Sequence, residues 1–377
     1  MSERLRRLIE DEIDLNGGRI PFDRFMELAL YEPGLGYYVA GSRKFGEAGD
    51  FITSPEISPL FARCLARQAQ EILNHLGEGD LLEFGAGSGI LAADLLSELD
   101  RLESLPDRYL IIELSPELRQ RQRETLQRLA PGLLDRVEWL ERLPAEFSGL
   151  VLGNELLDAM PVSRFRMAAG GMVDECFVTY DPAGLREEYA PTENPALRAA
   201  VIEIEAACGG LGEGYVSEIN LRQNAWLASL APRLVAGALL LIDYGYPRCE
   251  YYHPQRASGT LMCHYRHRAH PDPFRWVGLQ DITSHVDFTS LVRAASKLGL
   301  DLAGYTTQAH FLMASGLEEL MAESDPADTA RHLALVQGVK RLTLPSELGE
   351  RFKVLGLSKG MDLPLRGFDL RDLRARL

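Results

Sequence analysis

The stretch Leu81-Leu82-Glu83-Phe84-Gly85-Ala86-Gly87-Ser88-Gly89-Ile90-Leu91 joins a short apolar run to a turn with three glycines. An amphipathic segment follows, in which Leu91, Leu95 and Leu99 recur every fourth residue. The pattern reads as strand, glycine-rich loop and helix. Glycines at 85, 87 and 89 let the backbone turn sharply and let a ligand approach the main chain without meeting a Cβ. The N–H groups of the new helix point into the same space. The spacing G-x-G-x-G differs from the dinucleotide fingerprint G-x-G-x-x-G, which seats a pyrophosphate at the helix N-terminus. Glu83, two residues before the first glycine, repels a pyrophosphate and attracts a cation. S-adenosylmethionine carries a sulfonium and an ammonium and no phosphate, so it fits this loop better than NAD, its main rival.

A second β-like run, Tyr109-Leu110-Ile111-Ile112, ends at Glu113, 24 residues after Gly89. A carboxylate there can hold both ribose hydroxyls. Ser58-Pro59 and Ser115-Pro116 each read as a cap with proline at the first helical position, opening helices to about Leu76 and Leu129. Further strands are expected at 136–140, 150–153 and 237–245. Such alternation of short apolar runs with capped helices marks a parallel α/β sheet. Ligands of these sheets lie beyond the carboxyl ends of the strands. The polar cluster Asn154-Glu155-Leu156-Leu157-Asp158 starts one residue after such an end, and Asp243 ends the 237–245 strand.

The flanking segments differ in character. Helices are expected over about 3–15 and from Pro21 to near Pro33, followed by a polar, turn-rich loop containing Asp50, Thr53, Ser54 and Glu56. Residues 1–57 are taken as these helices and a lid loop, and 58–377 as the cofactor domain. Within the latter, 161–215 reads as an inserted α+β subdomain, with a hairpin (162–166 and 171–180) and a helix from Pro195 to Cys208. A helix is expected from Ser217 or Glu218 to about Leu234, and 245–287 as a long loop covering the substrate, with Tyr265, Arg266 and His267 as contacts. His264, His267 and His270 are spaced by one helical turn, but Pro271 and Pro273 oppose a regular helix, so no metal is expected. The end of the chain is read as a helix (289–298), a strand (302–306), helices (309–322 and 327–341) and a last strand (352–357), completing seven strands.

Composition is that of a globular protein: 377 residues, 46% hydrophobic, 25% charged, with a formal charge of −15. The acidity opposes non-specific nucleic-acid binding, and no apolar run approaches the ~18 residues of a membrane span. The five cysteines, 64, 176, 208, 249 and 263, include no C-x-x-C pair and are read as free thiols of a reducing compartment. The N-terminal segment turns acidic after residue 9 and has no apolar leader core, so the cytoplasm is expected.

Taken together, Gly49-Asp50-Phe51-Ile52-Thr53-Ser54-Pro55-Glu56, Glu83-Phe84-Gly85-Ala86-Gly87-Ser88-Gly89, Asn154-Glu155-Leu156-Leu157-Asp158-Ala159-Met160-Pro161, Asp243-Tyr244-Gly245, the run Gly278–Phe288 and Phe352-Lys353-Val354-Leu355 resemble the MidA-like family. The resemblance covers nearly the whole chain in order. It implies a class I S-adenosylmethionine-dependent methyltransferase with a seven-stranded Rossmann-like sheet. It further implies methylation of protein arginine, the mitochondrial member being an arginine methyltransferase that assists assembly of respiratory complex I. With no transit peptide visible, a bacterial member is expected, whose substrate need not be the mitochondrial one.

The donor is then expected on Glu83, Gly85, Ala86, Gly87 and Gly89, on Glu113 and Leu114, on Asn154, and on Thr53, Ser54 and Pro55 of the preceding loop. Glu155 is the first choice for contacting a guanidinium and taking its proton, Asp158 the second, with Asn154 positioning the amine. Asp50, Glu56, Tyr265 and His267 are the expected substrate contacts. The expected partner is a protein substrate, with no nucleic acid or membrane, and a homodimer is left open. A non-catalytic assembly factor that holds the donor as a structural ligand, and a methyltransferase of small molecules, are the competing readings.

Overall fold

The computed structural model describes residues 3–40 and 52–377. They form two compact units. The first takes the described residues of 1–51 together with 157–226 and 246–290, and the second takes 52–156, 227–245 and 291–377. The helical N-terminus, the inserted segment and most of the 245–287 stretch therefore share one unit.

In the second unit seven strands follow one another across a sheet: β1 (Asp80–Phe84), β2 (Tyr109–Ile112), β3 (Val137–Leu140), β4 (Phe147–Asn154), β5 (Leu234–Tyr246), β6 (Asp301–Thr307) and β7 (Phe352–Lys359). Their spatial order is β6-β7-β5-β4-β1-β2-β3. Strands β3, β2, β1, β4 and β5 are mutually parallel, and β7 runs antiparallel to both β5 and β6. Leu81, Leu82, Leu150, Val151, Leu239, Leu240 and Leu241 are all buried, as continuous apolar runs of a parallel sheet covered on both faces must be. Each such side chain contributes about 1.5–3 kcal/mol by leaving water.

The helices begin where their caps dictate. The Ser58 hydroxyl accepts from Leu60 N–H at the start of α1 (Pro59–Leu76), which Gly77 ends at φ 81°. Gly89, left-handed, opens α2 (Ile90–Arg101), and the Ser115 hydroxyl accepts from Leu118 N–H at the start of α3 (Pro116–Leu129). The expected helix over 309–322 is two helices, Gln308–Ala314 and Leu317–Ala322, divided at Gly316, which takes φ 87°.

The first unit has its own cores and an antiparallel sheet in which Ile20–Pro21, Val173–Asp181, Ser163–Met167 and Val216–Ile219 are neighbours, with Gly184–Pro191 paired on Val173–Asp181. Three expectations are corrected here. The residues from Ser217 do not begin a helix: Val216–Ile219 is a strand, and the helix is Arg222–Leu230, with Asn220 accepting from Gln223 N–H. The 245–287 segment is no simple loop. It contains a helix, Arg248–Tyr251, and a three-stranded sheet, Arg268–His270, Met262–Tyr265 and Asp281–Thr283. Finally, Cys208 and Cys249 are not free thiols; they form a disulfide across a Cα separation of 5.2 Å, while Cys64, Cys176 and Cys263 are free and buried.

Candidate functional site

Strand register assembles the site. Phe84 of β1 lies beside Ile112 of β2 and Gly153 of β4, and Asn154 lies beside Ile242 of β5. The ends of four adjacent parallel strands thus bring the glycine loop, Glu113, Asn154-Glu155 and Asp243 to one edge of the second unit. Gly85, Gly87 and Gly89 all take positive φ (63°, 52° and 81°), a conformation that costs glycine little. A Cβ on Gly85 would meet nothing within 4 Å among the described residues, so these leave an open cradle at that position. At Gly89 it would lie 2.9 Å from the Cα of Gln122, which fixes the loop against α3.

Two acids flank this cradle, and their environments differ. Glu83 is 3% exposed and accepts the Tyr109 hydroxyl at 2.7 Å. Burial pushes its carboxyl up to about 7, with the charge of Glu113 adding and the Tyr109 hydrogen bond opposing. Glu113 accepts Ser115 N–H (2.9 Å) on one oxygen and the Gln122 amide (3.2 Å) on the other. Burial raises its pKa too, opposed chiefly by these hydrogen bonds. Leu114, next to it, is 71% exposed, unusual for a leucine beside a buried acid.

The state of Glu83 has a consequence for stability. Its folded pKa, about 7, lies above the 4.5 of an ordinary glutamate, so between those values the folded chain holds a proton that the unfolded chain releases. Its contribution is complete below pH ~4.5 and declines as pH rises through about 7, by on the order of 2–3 kcal/mol. Urea unfolding at pH 5 and pH 8 should show this loss in the native protein and not in Glu83→Gln. An equal pH response in the two proteins would refute it.

At the end of β4, the Asn154 amide donates to Glu155 Oε1 at 3.2 Å, while Asn154 Oδ1 is buried without a hydrogen-bond partner among the described residues. Glu155 adopts φ 51°, a left-handed backbone rarely taken by glutamate, and its N–H is anchored on Ile242 C=O at 2.9 Å. The end of β4 thus sets an acceptor with no partner among the described residues beside an acid in a left-handed conformation.

The other expected residues fall as follows. Thr53 precedes the short helix Ser54–Ile57, which carries Glu56. Ser54 is fully buried and donates to Gln308 Oε1 at 3.0 Å, so its hydroxyl pins this turn to the interior, and Pro55 is buried with it. Asp50 lies outside the described residues. Asp158, Tyr265 and His267 belong to the first unit. There Asp158 is buried, its carbonyl accepting from Ser284 N–H. Arg266 and His267 form the tip of the hairpin joining Met262–Tyr265 to Arg268–His270, both at positive φ (48° and 60°). His264 and His270 are therefore strand residues, not successive turns of a helix. The same unit holds a pairing that the sequence reading did not single out: the Tyr38 hydroxyl meets both carboxylate oxygens of Asp281 (2.9 and 3.0 Å) while its ring stacks on Tyr31. In the second unit the overlooked residues are Tyr109, which holds Glu83, and Gln122. A tyrosine inside an apolar run and a glutamine on a charged helix carry no local signal of such roles.

Comparison with known proteins bears on the fold and the cofactor. Residues 64–306 match the family of S-adenosyl-L-methionine-dependent methyltransferases designated Methyltransf_28. The chain is 31% identical to the mitochondrial protein arginine methyltransferase NDUFAF7 of Rattus norvegicus, over 90% of this chain and 81% of that protein. The Danio rerio protein of the same name is 28% identical over 89% of this chain and 82% of its own. The crystal structure of a Burkholderia thailandensis protein bound to S-adenosyl-homocysteine superposes with a TM-score of 0.95 at 46% identity, covering 100% of this chain and 97% of that one. S-adenosylmethionine is accordingly the cofactor, and the seven-strand order is that of a class I methyltransferase fold. The loop that spaces its glycines against a pyrophosphate belongs to a member of the MidA-like family of S-adenosylmethionine-dependent methyltransferases.

Proposed function

We propose that this protein transfers the methyl group of S-adenosylmethionine to an arginine side chain of a protein substrate, with Glu155 as the carboxylate that receives the guanidinium. The observation that carries the reading is the pair at the end of β4: a left-handed Glu155 anchored by its N–H on β5, beside an Asn154 whose buried Oδ1 lacks a partner among the described residues. The name of the NDUFAF7 relatives, protein arginine methyltransferase, supports the choice of acceptor.

The chemistry follows from the acceptor. A guanidinium, with pKa above ~12, has no nucleophilic lone pair until a proton leaves it. Bound S-adenosylmethionine supplies an electrophilic methyl on a sulfonium and leaves as the neutral thioether. The Glu155 carboxylate pairs with the guanidinium and takes its proton as the nitrogen–carbon bond forms and the sulfur–carbon bond breaks. Asn154 Oδ1 accepts an N–H of the same group and orients the attacking nitrogen. Aligning the reactants at near-attack distance supplies on the order of 7–11 kcal/mol of the barrier. On the donor side, Glu113 would hold the ribose hydroxyls, Leu114 would lie against the base, and the open backbone at Gly85 would admit the amino-acid portion. Glu83 acts on that cationic portion through its charge. Donor affinity is therefore expected to rise with pH through about 7, as the Glu83 proton becomes easier to displace. Glu56, in the same unit, is assigned to the acceptor.

The test is methyl transfer itself. Purified protein with donor labelled in the methyl group is incubated with lysate from cells lacking this protein, and the labelled product is hydrolysed to amino acids. Label recovered as methylarginine supports the reading. Label on another residue or on a small molecule overturns the acceptor, and tight donor binding without incorporation favours the assembly-factor role.

A further inference from the structure

Helix α3 carries Arg119, Arg121, Arg123 and Arg128 and reads as a solvated helix, yet Gln122 in its middle is fully buried. A buried amide must find partners for two N–H donors and a carbonyl. Gln122 Nε2 lies 3.2 Å from the carbonyl of Gly87 and 3.2 Å from Glu113 Oε2, and its Oε1 accepts the Trp139 indole N–H at 2.9 Å. Indole nitrogen only donates, so the orientation of the amide is settled: the oxygen faces Trp139 and the nitrogen faces the loop and the acid. Gly89 packs directly on the Gln122 backbone. One side chain thereby ties together the loop after β1, the acid after β2 and the body of β3.

We propose that Gln122 is a positioning residue of the donor site, fixing the Glu113 carboxylate and the Gly87 peptide relative to one another, with Trp139 fixing Gln122 in turn. The proposal rests on the reading that the donor occupies the glycine loop and Glu113. A free glutamate samples many rotamers, and ordering it when a ligand arrives costs affinity. Here the ordering is complete before the ligand arrives: Ser115 N–H holds one oxygen of Glu113 and Gln122 the other. The arrangement also predicts what an isosteric change would do. Glutamate at position 122 keeps the shape but cannot donate, and it sets a second carboxylate against Glu113. The two then tolerate each other only while a proton is shared between them.

Calorimetric titration of the full-length protein with S-adenosylmethionine, and separately with S-adenosylhomocysteine, tests this in Glu113→Ala, Gln122→Ala and Gln122→Glu. Gln122→Ala is expected to weaken both ligands by about ten- to a hundredfold, since it removes a hydrogen bond to a charged group. The KM for the methyl acceptor should stay unchanged. Gln122→Glu should bind nearly as the native protein does near pH 5.5 and fall progressively behind it toward pH 8.5. Native-like affinity in Gln122→Ala, with Glu113→Ala impaired, would overturn the positioning role. Native-like affinity in Glu113→Ala would instead overturn the reading beneath it. If Gln122→Ala fails to fold, the isosteric Gln122→Glu decides: a penalty that does not change with pH would make Gln122 a packing residue only.

Discussion

Replacing Gly149 by alanine is expected to cost more than about 4 kcal/mol and to leave little folded protein at 25 °C, a loss comparable with the whole stability of a marginal domain. Gly149 sits in β4 at φ 139°, in register with Asp80 of β1 and Gly237 of β5. A Cβ there would lie 1.9 Å from the carbonyl oxygen of Asp80, and one on Gly237 would lie 1.9 Å from the carbonyl of Gly149. The obstruction is backbone of a central strand, which cannot swing aside as a side-chain tip can, so the three strands would have to part where the sheet begins. Gly209 provides the contrast. It caps the helix Pro195–Cys208 at φ 85° with nothing among the described residues within 4 Å of a Cβ, and Gly209→Ala should cost only about 1 kcal/mol. Urea unfolding of both variants, with soluble yield as a second readout, checks the difference. A Gly149→Ala protein within about 1 kcal/mol of the native would contradict the account of the sheet.

Where the chain announces its own boundaries, sequence and structure agree closely. Ser58-Pro59 and Ser115-Pro116 are caps followed by proline, and their helices, Pro59–Leu76 and Pro116–Leu129, begin there in the structure. The parallel strands are legible because burial on both faces leaves apolar runs such as Ala238–Ile242. The glycine turn after β1 and the acid after β2 are legible because each directly follows a short apolar strand. The misreadings share one cause: partners distant in sequence. Ser217 and Glu218 read as a polar helix start, yet both are fully buried, Glu218 accepting Thr260 N–H at 2.8 Å. Cys208 and Cys249 stand 41 residues apart, with nothing local to pair them. Gln122 lies four residues from both Leu118 and Leu126, on the inward face of 116–129, but the partners it meets there, Glu113, Gly87 and Trp139, are brought to it by the fold and not by local spacing. Tertiary polar networks of this kind are written in no local pattern.

The substitution with the greatest expected effect on activity is Glu155→Gln, which should leave S-adenosylmethionine affinity within about threefold of native while lowering the rate of transfer by roughly 10²–10⁴, the usual worth of a positioned acid–base group. Glutamine keeps the size and the hydrogen bond to Asn154 but can neither pair with a guanidinium nor accept its proton. The backbone of Glu155 supplies a second, independent measurement. A non-glycine residue at φ 51° stores on the order of 1 kcal/mol or more of strain, which Glu155→Gly would release. That variant should therefore be at least as stable as the native protein, even though glycine is ordinarily destabilising, and it should be inactive. A residue retained for packing would show the reverse, with lost stability and retained activity. Equal losses of donor binding and of transfer in Glu155→Gln would move the residue to the cofactor site. Lost transfer with intact donor binding, joined to gained stability in Glu155→Gly, would mean that the fold bears this strain for the sake of the carboxylate it presents.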